Sequence, residues 1–184
     1  MKNGQVPTRS ILLALFLLLV SSCQSVGPVV KKVENRDSNG NLYCTGQRLF
    51  KKANADSVDI GIWKYYYPST VQRCEIEYDS TGSRIRDSYY DEIGRLSSNS
   101  SIDGETEIES EYFGEGKLKT LVVTQSHEED ENTTTHMTLK QFHSNGKLWR
   151  EVNLNEENDG SLTVWDTTGN QILKLKYVNG MEQQ

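Results

Sequence analysis

The chain has 184 residues, 35% of them apolar, and a formal net charge of −6. That length suits a single domain, and the modest apolar content argues against a thick two-sheet core. The acidic balance argues against nucleic acid, which requires a basic patch, and against anionic lipid headgroups as partners of the folded part.

Residues 1–22 are read as a segment to be removed. Lys2 and Arg9 form a positive start, and residues 11–20 run unbroken as Ile-Leu-Leu-Ala-Leu-Phe-Leu-Leu-Leu-Val. That run is half the roughly 20 residues needed to cross a bilayer, so it is a signal-peptide core and not an anchor. Val20-Ser21-Ser22-Cys23 closes it and resembles the bacterial lipobox. The resemblance implies a diacylglyceryl thioether on Cys23, cleavage before it and acylation of the new amino group. Several acyl chains at one site would hold the protein on the membrane permanently, where one chain binds only marginally. By the sorting rule of enteric bacteria, Gln24 in place of aspartate directs such a protein to the outer membrane. No acidic cluster follows, which favours the periplasmic face over the cell surface. The remaining 162 residues would carry a net charge of −8, because the removed segment holds two cations and no acid.

Residues 23–37 contain Gly27-Pro28 and no amphipathic period, so the lipidated cysteine and a flexible tether are expected there. From Ser38 to the end a repeat takes over. Turn glycines or their substitutes are placed at Gly46, Thr70, Gly94, Gly116, Gly146 and Gly169, at spacings of 24, 24, 22, 30 and 23. Gly82 falls midway between two of them. Aromatics stand four residues before most turns (Tyr66, Tyr78, Tyr90, Tyr112, Phe142, Trp165), and an apolar residue follows two or three after, as at Leu96, Leu118 and Leu148. Second turns are expected at Asp103-Gly104, Asp159-Gly160 and Asn179-Gly180. Each unit of about 23 residues is then two strands and two turns, since Asn-Gly and Asp-Gly accept the positive φ of tight hairpins.

Between turns the residues alternate with period two. Cys74, Ile76 and Tyr78 oppose Glu75 and Glu77; Ile108 and Tyr112 oppose Glu109 and Glu111; Leu173, Leu175 and Tyr177 oppose Lys174 and Lys176. No helical stripe emerges, although Gln47–Ser57 has room for a helical turn. The predicted fold is all-β, an antiparallel meander of repeated hairpins in an elongated open sheet.

Gly61-Ile62-Trp63-Lys64-Tyr65-Tyr66 and Phe142-His143-Ser144-Asn145-Gly146-Lys147-Leu148 resemble the MORN-variant repeat, Tyr-x-x-Asn-Gly-Lys-Leu followed by Asn-Gly and Gly-x-Trp-x-x-Tyr. Bacterial proteins with such repeats are often labelled YwqK-type antitoxins, so the resemblance also implies a toxin-neutralising role as one alternative. Tyr78-Asp79-Ser80-Thr81-Gly82 and Tyr90-Asp91-Glu92-Ile93-Gly94-Arg95-Leu96 are similar to the YD repeat of large secreted shell proteins, whose chains are far longer. The resemblance covers roughly residues 40–181 and speaks for architecture more than for activity.

The longest spacing contains His127-Glu128-Glu129-Asp130-Glu131-Asn132, expected as an insertion lengthening one hairpin loop. It lacks the ligand spacing and central glycine of calcium loops. His127, His136 and His143 match no zinc spacing, and no phosphate loop, nucleophile elbow or zincin motif is present. No cofactor, metal or catalytic residue is expected, and a glycan hydrolase remains only as a third alternative. Cys44 and Cys74 are compatible with a periplasmic disulfide without requiring one.

Consecutive tyrosines on a strand face opposite sides. If Tyr66 and Tyr90 are core, Tyr65, Tyr67 and Tyr89 project from the other face as a binding surface; the alternative is that they pack within the domain. The expected protein is therefore a lipid-anchored envelope module that binds another envelope protein, or cell-wall polymer, without catalysis. Its oligomeric state stays open.

Overall fold

The computed structural model describes residues 27–51, 56–129 and 132–183. They form thirteen strands and no helix. In chain order these are β1 (Val29–Arg36), β2 (Leu42–Phe50), β3 (Ser57–Tyr66), β4 (Gln72–Tyr78), β5 (Arg84–Tyr90), β6 (Leu96–Asp103), β7 (Thr106–Tyr112), β8 (Leu118–Glu129), β9 (Asn132–Phe142), β10 (Leu148–Asn155), β11 (Gly160–Trp165), β12 (Gln171–Val178) and β13 (Met181–Gln183). Every strand pairs antiparallel with its sequence neighbours in one open sheet, with β1 and β13 as its edges. At about 4.8 Å per strand the sheet extends roughly 58 Å along its contour. The antiparallel meander of hairpins read from the sequence is the fold of this chain.

One turn geometry accounts for most of the hairpins. The residue opening the turn donates its amide to the carbonyl four positions on and accepts from the amide three positions on, starting at Asp37, Tyr67, Asp79, Asp91, Phe113, His143, Asn155 and Asp166. The fourth residue adopts positive φ in every case, from 61° at Asn158 to 95° at Gly169. This is the three-residue hairpin loop in which a type I turn ends on a left-handed residue. Where aspartate opens the turn, its carboxylate caps the loop. Asp166 Oδ1 accepts from the amides of Thr168 and Asn170 at 2.8 and 2.9 Å, and Asp37, Asp79 and Asp91 do the same. These bonds favour the charged form and hold all four carboxyls below their ordinary pKa, led by the side chains of Asn41, Thr81 and Thr168 at Asp37, Asp79 and Asp166 and by the Arg95 amide at Asp91.

The odd-to-even hairpin turns share one end of the sheet and grip one another. Lys117 Nζ donates to the Ser144 carbonyl at 3.2 Å, Asn145 to that of Thr167 at 2.9 Å, and Lys147 to that of Thr168. Lys147 therefore ties its turn to the next. The residues flanking it clamp the strand ends, since Tyr90, Tyr112 and Phe142 stand directly across from Leu96, Leu118 and Leu148.

Cross-strand register sorts the side chains onto two faces. Cys44, Tyr65, Cys74, Tyr89, Ser98, Glu111 and Thr120 lie in one continuous row, and Trp63, Ile76, Asp87 and Ser100 lie in the row beside it. Cys44, Trp63, Cys74, Asp87 and Thr120 are the buried side chains, so burial is confined to this face. The opposite face carries cross-strand ion pairs, Lys64–Glu75 at 3.3 Å and Lys140–Glu151 at 3.4 Å.

Several local expectations are corrected. Val29–Arg36, expected to lie in a flexible tether, is instead an edge strand paired with β2. Its charges and lack of alternation disguise it, and an edge strand with both faces in water needs no apolar pattern. The first turn uses Gly40, not Gly46. Gly46 lies within β2, where a Cβ would sit 2.1 Å from Trp63 Cδ2, so the indole occupies the space a side chain would need. The turn expected at Asp159-Gly160 is formed by residues 155–159, and Gly160 opens β11. Gln47–Phe50 is strand, not helix. The acidic insertion lengthens strands instead of a loop, for β8 and β9 stay paired out to Glu129 and Asn132, beyond the last partners offered by β7 and β10. On β7 the faces are inverted. Glu109 and Glu111 share the side of Asp87 and Thr120, while Ile108 is 39% exposed on the charged side, opposite Val123.

Candidate functional site

The residues singled out by sequence fall in different environments. Cys23 lies outside the described residues. Cys44 and Cys74, left open by the sequence as a possible pair, are both buried and free. Each pairs with Tyr65, one from β2 and one from β4. Two strand spacings of about 4.8 Å separate them by about 10 Å, beyond the roughly 7 Å that a disulfide spans between Cα atoms. Burial pushes the Cys74 thiol pKa up, which makes it less nucleophilic.

The three tyrosines do not make one surface. Tyr65 is half-buried between the two thiols, stacks on Trp63 at 6.4 Å between ring centroids and meets Tyr43 edge-on at 6.1 Å. Burial raises its phenol pKa to about 12. Tyr67 opens a turn and donates its hydroxyl to the Tyr90 carbonyl at 2.9 Å, joining two neighbouring turns. Tyr89 alone is exposed, at 40%. The parity argument is right, because Tyr65 and Tyr89 do share a face. Its premise about the core is not, since the fully buried side chains are on that same face.

Tyr89 borders a polar depression that sequence reasoning missed. β6 reads Leu-Ser-Ser-Asn-Ser-Ser-Ile-Asp, so its small side chains at Ser98 and Ser100 leave a trough between the longer ones of β5 and β7. Arg84, Asp87, Tyr89, Glu109 and Glu111 wall a depression of about 260 Å³. Asp87 is 4% exposed and fully engaged. Its Oδ1 accepts from the Ser100 amide and hydroxyl at 3.1 and 2.8 Å, and Oδ2 meets Arg84 at 2.7 Å. Glu111 accepts from Thr120 and pairs with Lys119 at 3.2 Å. The run of serines was the available signal, but only register shows that Asp87 lies beside it.

Two other features offer contact surfaces. At the β1 edge, Val30, Lys32, Thr45, Gln47, Ile62 and Lys64 line a shallow groove of about 440 Å³ on the face away from Cys44. At the β8–β9 ribbon, His127 Nδ1 lies 2.9 Å from Glu105 Oε2. Among the described residues no group of three His, Cys, Asp or Glu side chains is placed to hold a metal ion. No helix among them is long and apolar enough to cross a membrane.

Comparison with protein-family models and with curated proteins gives no match for this chain.

Proposed function

We propose that this chain is a lipid-anchored envelope protein whose MORN-like repeat sheet binds a partner without catalysing a reaction. The anchor is Cys23, the location the periplasmic face of the outer membrane, and the partner another envelope protein or cell-wall polymer. The observation that carries the reading is the open edge. β1 is eight residues long and leaves one row of backbone N–H and C=O groups without a strand neighbour, and such an edge accepts an added strand. A broad single-layer sheet with shallow depressions also suits an extended partner better than a small substrate, which calls for an enclosing pocket.

Crosslinking in intact cells followed by mass spectrometry tests it. Crosslinks from Lys31, whose side chain is on the face away from the groove, to one recurrent envelope component are expected. Crosslinks scattered over abundant proteins without a recurrent one would refute the binding role. Cys23→Ala should release the protein from membranes washed with carbonate, and retention would refute the anchor.

A further inference from the structure

The chain as a whole is acidic, but the corner nearest the proposed anchor is not. Val29 begins β1 only six positions after Cys23, a distance of at most about 20 Å even for fully extended chain. A leash that short keeps the start of β1 within about 20 Å of the surface and so brings the neighbouring strands within reach of the headgroups.

The part within reach is the groove between β1, β2 and β3. Its apolar groups are unusually open, with Val30 52% and Ile62 49% exposed. Beside them stand the ammonium groups of Lys32 and Lys64. Lys64 has Glu75 at 3.3 Å, whereas Lys32 has no acidic partner among the described residues. Of the other acids on this face, Glu34 pairs with Arg36, and Glu77, across from Ile62, lies 3.8 Å from Arg86. Apolar side chains flanked by lysines suit a bilayer interface, where methyl groups enter the headgroup boundary and ammonium groups reach phosphates.

Resting on the anchored reading above, we infer that the groove of Val30, Lys32, Ile62 and Lys64 docks on the phospholipid surface, with anionic headgroups as its ligand. Docking holds this end of the sheet against the membrane and directs the remaining strands away from it. The overall negative charge, which argues against lipid contact for the domain taken as one body, repels the rest of the sheet and so favours a single orientation.

Lysine footprinting tests this on the natively lipidated protein in phosphatidylethanolamine–phosphatidylglycerol vesicles, with the same protein in detergent as reference. Brief treatment with a water-soluble amine reagent and mass spectrometry read each lysine. Lys32 and Lys64 should react at least ~5-fold more slowly in vesicles, and less so when phosphatidylglycerol is replaced by phosphatidylcholine. Lys140 and Lys174, on the same face but remote from β1, should be unchanged. Val30→Glu, on the exposed edge strand, should restore Lys32 labelling while leaving flotation intact, and Ile62→Glu should act likewise on Lys64. If the protein floats with the vesicles but its lysines label uniformly, docking is refuted and the anchor stands. Equal protection of Lys140 and Lys174 refutes the groove as the contact. Failure to float refutes the anchor and the docking together.

Discussion

The two halves of this sheet are built to one plan and held by different forces. In β2–β5 the Trp63 indole, 2% exposed, lies over Gly46 in the row beside two buried thiols. Its Nε1 donates to the Gln47 carbonyl at 3.0 Å, and the Arg48 guanidinium sits 5.5 Å from the ring. In β10–β12 the corresponding rows hold Val152, Leu162 and Leu175, none fully covered, and Ile172 is 65% exposed. What holds that half is the ladder of turns, where His143, Asn145 and Lys147 reach the carbonyls of Trp165, Thr167 and Thr168. A single layer has no second sheet to cover it, so burial must come from a side chain large enough to roof its own neighbours. Trp63 does so, whereas Trp149, 42% exposed, and the half-buried Trp165 do not.

The strongest test of this contrast is paired truncation. Trp63→Ala should cost about 3–5 kcal/mol, as large aromatic deletions in cores do. Leu162→Ala should cost about 1–2 kcal/mol, because much of its apolar surface is already in water. Equal losses in urea unfolding would show that the halves are not differently held.

Gly46→Val probes the same roof from beneath. The new side chain would displace the indole, and a loss of about 1–3 kcal/mol is expected, the range for overpacked sites. Gly46→Ala should cost less, and thermal denaturation of both variants would show the order.

Thr70→Gly should stabilise. Thr70 holds φ at 69°, where six of its seven equivalents, Gly40, Gly82, Gly94, Gly116, Gly146 and Gly169, carry no Cβ. Relief of a left-handed β-branched residue is worth about 1 kcal/mol, partly offset by glycine's greater freedom when unfolded. Gly146→Val should lose a comparable amount in the half that depends on its turns. A rise in melting temperature for the first and a fall for the second would tie both halves to one turn geometry.

The smallest effect is in alkaline pH. Tyr65 has its pKa raised to about 12 by burial, against about 10 for a free phenol. Below pH 10 the proton is bound in both states, so stability is unaffected. Between 10 and 12 the unfolded chain releases it first, and stability falls as pH rises. Tyr65→Phe should make that fall shallower and remove the latest component of the ultraviolet phenol titration. An unchanged titration would place Tyr65 in water.

The legible features were local ones. Thr70 was recognised as standing in for a glycine, and its φ agrees. Asn179-Gly180 was read as a tight turn, and both residues have positive φ. Gly46 and Gly160 carried the same letter without the same role. One admits an indole and the other lets Asn153 approach, and neither contact is between sequence neighbours. The candidate sites were less legible for the same reason. Tyr65 and Tyr89 were placed on one side by strand parity, but which side is covered depends on Trp63 lying across a different strand. Asp87 carried no mark at all, since its partners Ser100 and Arg84 are supplied by register and by a bulge at Tyr78.

By itself, then, the sequence determined the hairpins, because turn chemistry and period-two alternation act over a few residues. It also carries the lipobox-like Val20-Ser21-Ser22-Cys23, on which the proposed anchor rests. Tertiary structure alone decided that Val29–Arg36 joins the sheet, that the thiols stand about 10 Å apart, and that Lys32 and Lys64 meet at one groove beside the edge strand. Each depends on which strands become neighbours and in what register, and a one-residue change of register would move every side chain of a strand to the other face.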